Sequence, residues 1–355
     1  MVLKGEFMLV LQKARFVKLV LAVHLITAFF FFAVPEATAT GVETWHERAN
    51  GSGIVYFEIA YGNGNYVVSG QSSIIYSDDC TNWTAGTVPH SDNFVDVDFD
   101  GVTFWAAGYL DATLLNSSDG ESWTLVSTGD AADHEHYNAV VQGGGTVVTG
   151  GGETLTYEGG LFYSTNAGVD FTPVYPSDLD VIDDVIFVDG SFVAGGDFFD
   201  GTGPTDKIYL SDDGISWNEV LTGFGTHIQA LAYGDDLIVA VGQGGIISSS
   251  DGLVWTQTWT GTELYGVAWG NGIFVAVGLT GTVLSSVDGI TWTPQTSGTT
   301  YHLRDVGFGD DTFFAVGQND WTDDLYVILQ SDRIGLFEDG FESGNTSGWS
   351  SSVGE

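Results

Sequence analysis

Short apolar runs, separated by turns rich in Gly, Asn and Asp, make up most of the chain between residues 42 and 332. The stretch 264–292 shows the pattern, with LYGVAW, IFVAVG and TVLSS as three runs of strand length. Gly270-Asn271-Gly272 separates the first two runs, and Asn-Gly accepts the positive φ angles of a tight hairpin turn. After a second turn, Trp292 lies in a fourth run, TWTPQT. The pattern predicts an all-β chain built from units of four antiparallel strands.

The unit recurs seven times. Its first two strands are found in YGNGNYVVSG, FDGVTFWAAG, QGGGTVVTGG, VDGSFVAGG, YGDDLIVAVG, WGNGIFVAVG and FGDDTFFAVG. A period near 40 residues with four strands each is typical of β-propellers, so we predict seven blades within residues 40–333. The last unit lacks its own fourth strand. Trp45-His46-Glu47-Arg48 resembles 292–295 and is expected to supply that strand, which would close the ring and cover its open edge.

The two ends of the chain have different compositions from the repeats. Residues 1–39 begin with basic residues, continue with an apolar run over 19–34 and end in the small-x-small sequence Ala37-Thr38-Ala39. This layout predicts a secretory signal peptide cleaved near Ala39. The 16-residue apolar run is shorter than the ~20 residues needed to span a bilayer, which argues against an uncleaved membrane anchor. We therefore expect a secreted or periplasmic monomer, with a Ser/Gly-rich tail over 334–355 that has no fold of its own.

Acidic residues strongly outnumber basic ones, 47 against 8, for a formal net charge of −39. Such a chain repels nucleic acid and favours cations, basic proteins or neutral ligands. The same charge also has a simple explanation, since acidic surfaces keep exported proteins soluble. With 43% hydrophobic and 14% aromatic residues, the chain has enough apolar side chains to form a core. Cys80 is the single cysteine, which excludes an intramolecular disulfide.

The turn that precedes the fourth strand carries Ser, Asp and Gly at fixed positions. It reads SSDGESW at 117–123, SDDGISW at 211–217, SSDGLVW at 249–255 and SVDGITW at 286–292, with degenerate copies at 77–83 and 164–171. These turns resemble the Asp-box, or BNR, repeat of sialidase-like propellers. The longer pattern GNGxFVAVG…SSDGxxW is similar to that of photosystem II assembly factor-like propellers, a type common among secreted bacterial proteins. The resemblance implies the fold and no particular activity.

The turn acids have a structural explanation. Asp and Ser side chains bond turn backbone groups, and Gly supplies a positive φ angle. Because these acids lie in separate blades at the rim, they cannot converge on one substrate. We predict a structural role for Asp79, Asp119, Asn166, Asp213, Asp251 and Asp288.

A second set of acids falls early in the first strand of each blade, the strand that lines the channel of a propeller. Aligning these strands on their closing turns gives the column Glu58, Asp96, Asn138, Asp184, Ala230, Gly266 and Asp305. This predicts a partly acidic ring at the channel mouth that binds a cation, Ca²⁺ first, or a basic or hydroxyl-rich ligand. The alternative is that these groups only contact channel water. In the ring, Ala230 and Gly266 are expected to leave room for a ligand.

Long loops and possible metal ligands lie on the same predicted face. Blades 3, 4 and 7 have the longest loops there, with aromatic candidates for ligand binding at Tyr157, Phe198, Phe199 and Trp321. Long loops on a rigid scaffold are frequent binding sites, and aromatics beside acids suit carbohydrate or peptide. Weaker metal candidates are His134 and His136, in a His-x-His pattern, and Asp197 and Asp200, in a loop with oxygen ligands but without EF-hand spacing.

These features favour an exported, non-catalytic propeller that binds a protein or glycan on its loop-rich face and requires no cofactor. Sialidase activity is not expected. Of the three arginines after residue 39, Arg48 and Arg333 are predicted to lie away from the channel, whereas sialidases need three that converge. A glycoside hydrolase or polysaccharide lyase remains the alternative, with Glu58 and Asp305 as a carboxylate pair in adjacent blades.

Overall fold

The computed structural model describes residues 41–128, 135–153, 159–174, 180–199, 204–224, 227–319 and 325–334. The predicted signal peptide and nearly all of the predicted tail lie outside these ranges. Strands dominate the described residues, with a short 3-10 turn at Leu279–Gly281. No helix in these ranges is long and apolar enough to cross a bilayer.

The strands fall into seven groups along the chain. The N-terminal strand is β1 (Trp45–Ser52), and blade 1 has β2 (Tyr56–Gly62), β3 (Asn65–Gly70), β4 (Ser73–Ser77) and β5 (Thr84–Ala85). Blade 2 has β6 (Phe94–Phe99), β7 (Phe104–Gly108), β8 (Leu114–Ser117) and β9 (Thr124–Ser127). Blade 3 has β10 (Glu135–Gly143), β11 (Thr146–Glu153), β12 (Gly159–Ser164) and β13 (Thr172–Val174).

The remaining blades repeat the arrangement. Blade 4 has β14 (Asp180–Val188), β15 (Ser191–Phe199), β16 (Pro204–Ser211) and β17 (Asn218–Leu221). Blade 5 has β18 (Ile228–Gly234), β19 (Leu237–Gly242), β20 (Gly245–Ser249) and β21 (Thr256–Trp259). Blade 6 has β22 (Leu264–Gly270), β23 (Ile273–Gly278), β24 (Thr282–Ser286) and β25 (Thr293–Thr296). Blade 7 has β26 (His302–Gly309), β27 (Thr312–Gln318) and β28 (Leu325–Ser331).

Each blade is one four-stranded antiparallel sheet, with β1 as the fourth strand of blade 7, which confirms the predicted seven-bladed propeller. The first strands of neighbouring blades contact each other all round the ring, including β26 with β2. The hydrophobic core lies between the blades: Phe94 and Phe104 of blade 2, for example, pack with Val67 and Ile74 of blade 1. We call the side where the first strands begin the loop-rich face, and the side of their hairpin turns the hairpin face.

The seventh sheet has the order β1-β28-β27-β26. Strand β1 pairs antiparallel with β28, from Trp45 opposite Ser331 to Ser52 opposite Leu325. Trp45 is only 8% exposed and its indole Nε1 donates to the Val42 carbonyl at 3.0 Å. Residues from the start of the repeats therefore form the outer strand of the last blade.

The Ser-x-Asp-Gly turns lie on the hairpin face and are held by their own side chains. In blade 5, Asp251 Oδ1 accepts from the backbone N–H groups of Leu253 and Val254, both at 2.9 Å. Gly252 N–H donates to Ser249 Oγ at 2.9 Å, and the indole Nε1 of Trp255 donates to the Gly252 carbonyl at 2.9 Å. The equivalent carboxylates of Asp79, Asp119, Asp213 and Asp288 make the same pair of backbone contacts, and Asn166 Oδ1 accepts from Asp170 N–H.

We expect Asp251→Ala to lower the free energy of unfolding by about 1–3 kcal/mol, because it leaves turn N–H groups without their acceptor. Denaturant unfolding followed by tryptophan fluorescence measures this. Asp78→Ala is the control, since Asp78 is an exposed acid within the equivalent turn of blade 1, at the position that precedes the turn aspartate. Equal stability of the two variants would contradict a structural role for Asp251.

Candidate ligand-binding site at the channel mouth

A β-bulge interrupts every first strand near its beginning. The register with the second strand skips one residue between Tyr56 and Glu58, and equivalent shifts occur in the other six blades. A bulge of this kind re-aims side chains and is common beside functional sites. The skipped residues are Phe57, Val95, Asn138, Asp183, Gln229, Tyr265 and Arg304.

The bulges correct one member of the predicted acidic column. The first residue after each bulge pairs again with the second strand. In blades 1 to 7 these residues are Glu58, Asp96, Ala139, Asp184, Ala230, Gly266 and Asp305. Asn138 belongs to the bulged positions one residue earlier, so its inclusion in the column was wrong. The four carboxyl groups do come together, around a channel cavity of about 230 Å³ that all seven first strands line.

Three of these carboxyl groups link neighbouring blades. Asp184 Oδ2 accepts from Leu231 N–H of blade 5 at 2.6 Å, and Asp305 Oδ2 accepts from Ile59 N–H of blade 1 at 3.0 Å. Asp96 accepts in the same way from Val140 N–H of blade 3. Each aspartate therefore satisfies a backbone donor at a blade junction, a structural role that the sequence alignment did not reveal.

The expected space beside blades 5 and 6 is smaller than predicted. A Cβ atom added at Gly266 would lie 2.7 Å from both Cα and Oδ1 of Asp305. Asp305 thus occupies the space that the missing side chain of Gly266 leaves. At this position the small residue accommodates the neighbouring carboxylate, and the prediction of a ligand gap there was wrong.

The clustered carboxyl groups hold protons more strongly than usual. Burial raises the pKa of Asp184 to about 8 and that of Asp305 to about 7, and the charge of Asp96 adds to both shifts. Burial also raises the pKa of Glu58 well above its usual range, helped by the charge of Asp96 and by a hydrogen bond between these two carboxyl groups. Two carboxylates cannot share a hydrogen bond without a proton, so this bond forms only while one of the two groups is protonated.

Asp98 is a fifth carboxyl group in the channel and was missed. It follows Asp96 by two residues in β6, so both side chains are on the same face of the strand. Burial and the charge of Asp96 raise its pKa to about 7. The signal was available in the sequence FVDVDF, whose two aspartates have the period of one strand face.

The bulged residues form the rim of the channel on the loop-rich face. With the acids beneath them, they line a cavity of about 200 Å³. His227 Nε2 lies 2.7 Å from Asp183 Oδ2, and the Gln229 amide lies 3.2 Å from His227 Nδ1. At the junction of blades 6 and 7, the guanidinium carbon of Arg304 lies 5.0 Å from the ring centre of Tyr265. The rim therefore combines a cation, an acid, amides and an aromatic ring.

The other predicted site residues are not brought together by the described structure. Tyr157, Trp321, His134 and Asp200 lie outside the described residues. Asp197, Phe198 and Phe199 lie in β15 and pair with β16, through Asp206, Thr205 and Pro204.

Metal coordination has limited support in the described part of the chain. His136 is buried there, its ring centre 4.6 Å from that of Tyr109, and burial lowers its pKa. Among the described residues, no three His, Cys, Asp or Glu side chains are arranged to hold a metal ion.

Comparison with known proteins identifies structural relatives. No family model matches the chain, and no curated protein is similar to it in sequence. YCF48 from Cyanidioschyzon merolae superposes with a TM-score of 0.58 at 15% identity, over 81% of this chain and 98% of that one. A structure of YCF48 bound to D1 peptide gives a TM-score of 0.59 at 16% identity, over 82% of this chain and 96% of the other. The WD40 propeller domain of Doa1 gives a TM-score of 0.59 at 14% identity, over 81% and 97%. At these identities the likeness shows the fold: this chain is a seven-bladed β-propeller whose solved neighbours include YCF48.

Proposed function

We propose that this protein is an exported, non-catalytic binding propeller whose ligand contacts the rim of the channel on the loop-rich face. The observation that carries the proposal is the set of bulged residues there, Asn138, Asp183, Gln229, Tyr265 and Arg304, around one cavity. Such a rim offers donors, acceptors and an aromatic face on a rigid scaffold, as a specific ligand site requires.

A segment of another protein is the favoured ligand, and a glycan is the second candidate. Extended peptide has alternating donors and acceptors that match amides and carboxylates of the kind found at the rim. The peptide bound to YCF48 in one of the similar structures supports this choice. The aromatic and acidic residues of the long loops suit a glycan, and Ca²⁺ is retained as a candidate ion for the same face.

Hydrolysis fits the geometry less well. The alternative pair, Glu58 and Asp305, would need two carboxyl groups free to exchange protons with a substrate. Asp305 instead accepts a hydrogen bond from Ile59 N–H, and Glu58 is hydrogen bonded to Asp96. These contacts favour a role in holding the ring together.

The test is a binding screen of the purified protein against peptide and glycan arrays, with and without Ca²⁺. We expect a peptide ligand, and we expect Tyr265→Ala combined with Gln229→Ala to weaken its binding about tenfold or more, since tyrosine is among the residues that often dominate binding energy at protein interfaces. Asp235→Asn is the matched control, because Asp235 is exposed in a hairpin turn on the other face. If the control weakens binding and the double variant does not, the ligand contacts the hairpin face and the proposal is wrong.

A further inference from the structure

A ring of aromatic side chains surrounds the channel near the hairpin face. Its positions are equivalent in all first strands, because each pairs with the residue five further along the chain. Six of the seven are aromatic, and the seventh is glutamine: Tyr61, Phe99, Gln142, Phe187, Tyr233, Trp269 and Phe308. We call this set the aromatic ring.

Most members of the aromatic ring lie over a glycine of the preceding blade. A Cβ atom added at Gly270 would lie 2.0 Å from Phe308, and one at Gly234 would lie 2.1 Å from Trp269. The same close approach joins Gly62 to Phe99, Gly143 to Phe187 and Gly309 to Tyr61. At these five junctions the aromatic group fills the space between the blades.

The pattern is broken at the other two junctions. Blade 2 has Asp100 where the glycine is expected, and the residue facing it from blade 3 is Gln142. Blade 4 has Val188 there, and the hydroxyl of Tyr233 donates to Asp189 Oδ2 at 2.6 Å. Around these two breaks lies a cavity of about 370 Å³, lined by Asp98, Gln142, Ile186, Phe187 and Tyr233 among others.

Asp98 is the one polar residue at its level of the channel. The equivalent residues of the other first strands are Ala60, Val141, Ile186, Ala232, Ala268 and Gly307. No basic side chain in the described ranges forms an ion pair with Asp98. The nearby carboxylate of Asp100 already accepts three hydrogen bonds, from Val102 N–H, Thr103 N–H and Trp105 Nε1. A carboxyl group among apolar residues costs stability unless a partner compensates it.

We propose that this cavity is a binding site for a primary ammonium group on an aliphatic chain, with Asp98 as the counter-ion. Phe187 and Tyr233 supply aromatic groups of the kind that attract cations, and Ile186 and Val141 supply apolar contact for the chain. Lysine side chains and free alkylamines share this chemistry. The site lies at the opposite end of the channel from the rim, so it is independent of the proposed function.

The surroundings of Asp98 also set the pH range of binding. The groups that face it are Asp96, Asp100 and the other channel acids Glu58, Asp184 and Asp305, with Tyr233 from blade 5. None of them is basic, and the charges of Asp96 and Asp100 add to burial in raising the pKa of Asp98. Because only the ionised form pairs with ammonium, we expect affinity to increase between pH 6 and pH 8, across the Asp98 pKa of about 7.

The experiment is calorimetric titration of the purified protein with n-pentylamine, with N-acetyl-lysine amide, and with n-pentanol as the uncharged analogue. We expect both amines to bind and pentanol to bind at least tenfold more weakly. Asp98→Asn should weaken amine binding about tenfold or more, because it removes a charge-assisted contact. Gln142→Tyr should also weaken it, by completing the aromatic ring and filling the cavity without a change of charge.

Asp235→Asn is the control for the general attraction of cations to an acidic surface, and it should bind amines like the unmodified protein. Tighter binding of the lysine derivative would identify a basic protein segment as the natural ligand, and tighter binding of pentylamine a free amine. The inference fails if neither amine binds, if pentanol binds equally well, or if Asp98→Asn and Gln142→Tyr both leave amine binding unchanged.

Discussion

A chain that begins at residue 51 should melt about 10 °C or more below a chain that begins at residue 40. The shorter chain loses most of β1 and with it the pairing that runs along β28 from Ser331 to Val327. It also loses the buried side chains of Val42 and Trp45, which pack with Val327 and Leu329 of blade 7 and with blade 6. Losing one buried aromatic alone costs about 3–5 kcal/mol, and each kcal/mol is worth roughly 2–4 °C in a large domain.

The contribution of the strand is separable from that of chain length. Trp45→Ala, in a chain that begins at residue 40, should lower the melting temperature by several degrees, whereas Glu47→Ala, at an exposed position of the same strand, should not. A synthetic peptide spanning residues 40–52, added to the shortened chain, should restore part of the loss by pairing with the free edge of β28. Equal melting temperatures of the long and short chains would show that blade 7 is stable without β1.

The free energy of unfolding should fall as pH rises from about 4 to about 8. An unfolded carboxyl group titrates near pH 4, whereas the folded pKa is about 7 for Asp98 and Asp305 and about 8 for Asp184. Between these values the folded protein binds more protons than the unfolded chain, so each increase in pH disfavours folding. One pKa unit on one group corresponds to about 1.4 kcal/mol. Because Asp98, Asp184 and Asp305 are partly exposed, solvent screens part of the effect, and we expect a total loss of about 3–6 kcal/mol.

The turn aspartates limit this trend at low pH. Backbone N–H groups of Ser216 and Ile215 lower the pKa of Asp213, and similar contacts act on Asp119 and Asp251. A group whose pKa is lowered by folding stabilises the folded protein at pH values above its unfolded pKa. This stabilisation is lost as pH falls through its folded pKa. Since these turns are largely exposed, their contribution is modest, and maximum stability is expected near pH 4–5.

Denaturant unfolding at several pH values, followed by tryptophan fluorescence, measures the trend. Glu58→Gln removes one of the raised groups while its amide can still bond Asp96, so it should reduce the slope and raise stability at pH 8. Asp235→Asn, an exposed control, should leave the slope unchanged. Repeating the measurement in high salt distinguishes the contribution of the channel acids from that of repulsion between surface charges, because salt screens exposed charges much more than buried ones. A slope that disappears in high salt, or stability that increases with pH, would contradict the role of the channel acids.

Local patterns in the sequence determined the blades and their turns. Asn271-Gly272 and the equivalent turns require positive φ angles, and the apolar runs beside them have strand length, so each hairpin could be predicted from residues close together in the chain. The period near 40 residues and the incomplete seventh unit were sufficient to predict the ring and the origin of its last strand. These features depend on neighbours in sequence, which a sequence displays directly.

Contacts between blades were decided by the tertiary structure. The bulge in each first strand adds one residue to the register, which moved Asn138 out of the acidic column. Asp305 fills the space at Gly266, and Asp96, Asp184 and Asp305 accept hydrogen bonds from the following blade. The cavity beside Asp98 lies at the two junctions where Asp100 and Val188 take the place of a glycine. The bulge is a change of register within one hairpin, which the alternation of residues does not show. The other outcomes depend on residues about 40 or more positions apart meeting at one junction, and on side-chain volume there, which no local pattern records.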